Sequence, residues 1–72
     1  MTTRTIYEVD GYLDEFAGPE ERVTKPTEKQ ALTTAKKMTQ KYDYVEVSAQ
    51  QITEDGDYIE GKVIQAYRSK KG

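Results

Sequence analysis

Seventy-two residues make one small domain with one core of modest size, since a chain this short buries only about 60% of the surface its unfolded form exposes. The sequence has no cysteine and no histidine, which removes disulfides, thiolate and imidazole metal ligands, and the Ser-His and Cys-His pairs of nucleophilic catalysis. With 11 Lys and Arg against 13 Asp and Glu, the net charge of −2 is too small to imply a nucleic-acid or membrane partner.

No apolar run approaches the ~18 residues needed to cross a bilayer. The chain opens on Met1-Thr2-Thr3-Arg4 and leads straight into a strand-like segment rather than a signal-peptide core. A single cytoplasmic domain over residues 1–72, with no membrane partner, is expected.

Residues 3–9 alternate as a strand, with Thr5, Tyr7 and Val9 on one side and Arg4, Ile6 and Glu8 on the other. Asp10-Gly11 reads as a turn or a bulge, followed by an irregular apolar path through Tyr12, Leu13 and Phe16. Ala17-Gly18-Pro19-Glu20 breaks the chain, and residues 21–25 form a short candidate edge strand with Val23 its only apolar member. Residues 27–42 predict the one helix. Thr27 stands as N-cap with Gln30 three residues on, and Ala31, Leu32, Ala35, Met38, Thr39 and Tyr42 recur at spacings of three and four. Lys36, Lys37 and Lys41 fall where the negative end of the helix dipole favours cations.

The period then changes from 3.6 to 2. Residues 44–50 place Val45, Val47 and Ala49 on one face. Thr53-Glu54-Asp55-Gly56-Asp57 closes a hairpin, residues 58–68 return as a β-rich strand, and residues 69–72 are expected to fray. A two- or four-residue hairpin loop pairs Val47 with Ile64, Val45 with Ala66, Tyr44 with Tyr67, Ser48 with Val63 and Ile52 with Ile59. A three-residue loop instead turns Val63 and Tyr67 inward and exposes Ile64; the first register is preferred because it aligns two apolar pairs beneath the helix stripe. The expected fold is α+β, a two-layer sandwich of one helix on a small, mainly antiparallel sheet of three or four strands, in the order β-(β)-α-β-β.

Charges fall in blocks. Glu8, Asp10, Asp14, Glu15, Glu20 and Glu21 precede the helix lysines Lys29, Lys36, Lys37 and Lys41; Asp43, Glu46, Glu54, Asp55, Asp57 and Glu60 precede Lys62, Arg68, Lys70 and Lys71. Gathered on one surface, the acidic blocks would suit an inhibitor that mimics nucleic acid. The acids between Asp10 and Glu21 lack the loop spacing of a calcium site, no two carboxylates stand out for hydrolysis, and the helix lysines lack an aromatic RNA-binding signature. No cofactor, metal site or catalytic residue is expected, and direct nucleic-acid binding through those lysines ranks third.

Six tyrosines against one phenylalanine and no tryptophan are more than a core of this size absorbs. In the preferred register Ile52, Tyr58, Ile59, Val63 and Tyr67 form an apolar stripe on the sheet face away from the helix, a candidate interaction face. The alternative is that the Tyr12–Phe16 loop folds over that face. A non-catalytic protein-interaction or accessory domain is therefore expected, acting through this face or an edge strand on another protein or on a second copy of itself.

Overall fold

The computed structural model describes residues 2–14 and 16–68; the frayed tail expected at 69–72 lies outside them, as do Met1 and Glu15. Strands β1 (Thr3–Tyr12) and β2 (Glu21–Lys25) precede helix α1 (Glu28–Met38), and β3 (Tyr44–Thr53) and β4 (Tyr58–Arg68) follow it. All pairings are antiparallel, in the spatial order β2-β1-β3-β4. The helix lies on β1, β3 and β2. This is the two-layer α+β sandwich, with the segment before the helix present as a fourth strand.

β1 runs straight through Asp10-Gly11, where the sequence suggested a turn or bulge. The glycine serves a close approach: a Cβ there would lie 2.5 Å from Tyr42 Cδ2 and 2.9 Å from Met38 Cε. Glycine at this position lets the tyrosine ring settle directly on the strand backbone.

Thr27, in an extended conformation, accepts the Gln30 N–H on Oγ1 at 3.2 Å and caps the helix as expected. The helix ends at Met38, four residues before the expected 42. Thr39 Oγ1 donates to the Lys36 carbonyl at 2.6 Å, and the Gln40 and Lys41 N–H groups bond the Lys37 and Met38 carbonyls in a tightened last turn. The Tyr42 N–H still reaches the Met38 carbonyl at 2.9 Å, so Tyr42 continues the apolar stripe without being helical.

Ala31, Ala35, Met38 and Tyr42 bury against Val9, Val45 and Val47. The two alanines let the helix backbone approach the valine layer closely, and each large side chain enclosed there contributes about 1.5–3 kcal/mol. An 11-residue helix is about 16 Å long, whereas strands of 10 and 11 residues extend about 33 Å. The helix therefore covers only the half of the sheet that holds the valines.

The β3-β4 hairpin departs from the preferred register. Gly56 has φ of 90°, its N–H bonds the Thr53 carbonyl at 3.0 Å, and the Thr53 N–H bonds the Asp57 carbonyl at 2.9 Å. The loop thus has three residues, a tight turn closed by a left-handed glycine. Two register shifts follow, between Gln51 and Ile52 and between Val47 and Ser48. The first restores the expected Ser48–Val63 pair. The second sets Val47 opposite Gln65, Val45 opposite Tyr67 and Tyr44 opposite Arg68. Each shift accommodates an extra residue in β4, and both Ile64 and Tyr67 consequently pack against the core. One unbroken register permits only one of them to do so.

Candidate interaction surface

β4 is an edge strand: β3 hydrogen-bonds one side, and no described strand pairs with the other. Its pairing with β3 is regular over residues 60–63, between the two shifts. Within this stretch Glu60 and Lys62 stand opposite Gln51 and Ala49, on the helix side but beyond the helix end, while Gly61 and Val63 stand opposite Gln50 and Ser48 on the far face. Glu60 and Lys62, with Thr5, Ala49 and Gln51, line a shallow groove of about 510 Å³. Among the described residues neither Glu60 nor Lys62 has an ion-pair partner.

The five residues of the expected stripe do not form one exposed surface. Tyr58, Ile59 and Val63 are 63%, 46% and 49% exposed, whereas Ile52 is 7% exposed beneath the far face and Tyr67 packs against the core from the helix side. The register shift beyond Ser48 turned Tyr67 inward. Ile52 pairs with Tyr58, whose phenol also reaches over Gly61: its oxygen lies 2.9 Å from where a Cβ on that glycine would sit. Leu13 and Phe16 are exposed as well, Phe16 at 93%, but their loop leaves β1 at the sheet end opposite Tyr58. That loop does not cover the β4 apolar group. The Phe16 N–H bonds Asp14 Oδ1 at 2.9 Å and the Ala17 N–H the Asp14 carbonyl at 3.0 Å, a side-chain-closed turn.

The Phe16 end of the far face carries a polar network instead. Arg22 Nε is 2.9 Å from Asp10 Oδ1 and 3.3 Å from Glu8 Oε1. The Tyr44 phenol donates to Glu46 Oε2 at 2.8 Å, the Tyr12 and Tyr44 rings are 5.5 Å apart, and the Arg68 guanidinium lies 4.9 Å from the Tyr44 ring centroid. The bond to Glu46, then burial, raises the Tyr44 pKa; burial, then Asp10 and Glu46, raises that of Tyr12. Both phenols therefore lose their protons less readily than a free tyrosine; that of Tyr44 donates to Glu46, and the two rings pack against each other. The Asp10–Arg22 pair also raises the Arg22 pKa.

These contacts interleave charges that stand in separate blocks along the chain. Arg22 sits on Glu8 and Asp10, and Lys41 Nζ is 3.7 Å from Glu21 Oε1. No group of three or more Asp or Glu side chains among the described residues is arranged to hold a metal ion, and no described helix is long and apolar enough to cross a membrane.

Sequence reasoning placed Glu60 and Lys62 only within charge blocks and passed over Gly61. Their spacing, acid and base two residues apart about a glycine, was visible; that they lie on an open edge required the strand order. No family model, curated protein or solved structure matches the chain.

Proposed function

We propose that this chain is a non-catalytic protein-interaction domain whose binding element is the outer edge of β4. One observation carries the reading: an 11-residue edge strand exposes Tyr58, Ile59 and Val63, and no described strand pairs with its outer side. Sheet edges of this kind usually carry protection, because another strand can add to them. Here the two register shifts limit the ladder to a short central stretch, which favours one defined partner strand over indiscriminate stacking. Backbone pairing supplies affinity in such a contact, and the alternating side chains supply selectivity.

The acidic-mimic reading has weaker support, since Arg22 and Lys41 sit among the acids that would form the mimic. The test of the β4 reading is the double substitution Ile59→Lys with Val63→Lys. Both side chains are half-exposed, so the fold and its unfolding midpoint are expected to change little, while association with other chains, including other copies of this one, is lost. Undiminished association of the folded double variant overturns the reading.

A further inference from the structure

We infer that β4 pairs antiparallel with β4 of a second copy of this chain, about a two-fold axis at Gly61, joining two four-stranded sheets into one of eight. The inference rests on the reading of β4 as the binding element, and it names the occupant of that edge.

A two-fold contact sets the strand antiparallel to itself, so residue i of one copy faces residue j of the other with i + j constant. Outward-pointing backbone groups alternate along an edge, so facing residues share parity and the two-fold falls on a residue rather than between two. The regular stretch of residues 60–63 leaves four positions for the axis. Centred on Glu60, the pairing sets that carboxylate against its own copy; centred on Lys62, it does the same with two ammonium groups. Like charges directly opposite are unfavourable in a sheet. Centred on Val63, it runs the ladder through the shift beyond that residue, with Lys62 against Ile64 and Glu60 against Ala66.

Only the Gly61 centre sets Glu60 opposite Lys62, and the symmetry makes that pair twice. Ile59 and Val63, both exposed, flank this paired stretch in each copy. The glycines that face one another at the axis have no side chains, but the Tyr58 phenol already lies over Gly61 in each copy. An aromatic ring covering a glycine on an edge strand is a known device for supporting such a position. Charge and the covered glycine thus select one register.

Sedimentation of the purified full chain over a wide concentration range tests this. The wild type is expected to form a concentration-dependent dimer. Glu60→Lys and Lys62→Glu each convert both pairs to like charges and are expected to weaken the dimer about tenfold or more. An equimolar mixture of the two single variants is expected to form a heterodimer, and the double variant E60K/K62E to dimerise again. Because both side chains are exposed, circular dichroism of each variant should match the wild type.

A wild type that stays monomeric throughout overturns the inference, as do single variants that dimerise like the wild type. The Ile59→Lys/Val63→Lys variant separates this failure from failure of the broader reading. If it abolishes association that the charge variants leave intact, β4 binds but not in this register; if it leaves all association intact, the broader reading fails too.

Discussion

The Tyr42 phenol donates a 2.7 Å hydrogen bond to Glu21 Oε1, fastening the turn after the helix to the edge strand β2. Lys41 Nζ, 3.7 Å from the same oxygen, also lies 5.3 Å from the Tyr42 ring centroid. β2 has only five residues and one large apolar side chain, Val23, so this side-chain tie and the Arg22 ion pairs add to the backbone ladder that holds it in register.

That tie makes stability sensitive to alkali. The bond to Glu21, and then burial, raises the Tyr42 pKa; Tyr44 and Tyr12 shift the same way. A pKa raised by folding stabilises fully below the unfolded value, about 10 for tyrosine, and the contribution is lost as pH climbs through the raised value. Thermal unfolding followed by circular dichroism is expected to show tyrosine-dependent loss above about pH 10. Tyr42→Phe should lower the midpoint by a few degrees at neutral pH and reduce the alkaline fall; an unchanged fall contradicts this assignment.

Gly11→Ala is expected to destabilise by about 1–3 kcal/mol in urea denaturation, the usual cost of overpacking. The new methyl would meet the Tyr42 ring at 2.5 Å and Met38 Cε at 2.9 Å. Pairing it with Tyr42→Ala, which removes the ring, should recover part of the methyl's cost. Full additivity of the two losses would mean that the ring is not what excludes the methyl.

At Gly56 the constraint is conformational, because nothing lies near a built Cβ and φ is 90°. Gly56→Ala is expected to cost about 1–2 kcal/mol, the strain of a left-handed residue, and Gly56→Asn less. Equal losses for alanine and asparagine in the same assay would point to a cause other than backbone strain.

Arg22→Ala leaves Asp10, 5% exposed and in register with Glu46, without its cation. Its unfolding midpoint is expected to fall by several degrees at neutral pH, further than for Lys41→Ala, since an uncompensated carboxylate near a second one is costly. Adding Asp10→Asn to Arg22→Ala should restore part of the loss. A double-mutant cycle with no coupling between these positions would remove the pair's structural role.

The alternation of Val45, Val47 and Ala49, the Thr27 cap and the Ala31–Ala35–Met38 spacing were enough to place the strands and helix, because these are local rules of period and capping. The helix end and the Gly11 strand were misread where a threonine hydroxyl and a distant tyrosine ring intervened. The candidate surface was legible in part: Tyr58, Ile59 and Val63 are exposed as expected, but Ile52 and Tyr67 are not exposed with them.

What the sequence by itself determined was the set of elements and which residues of β1 and β3 share a face, since side-chain direction alternates along a strand whatever its neighbours are. The tertiary structure decided the register of β4 and its place at the edge. Register depends on loop geometry and on extra residues absorbed within the ladder. One such residue, at Ile64, turned Tyr67 against the core and left Glu60, Gly61 and Lys62 as the central stretch of an open edge.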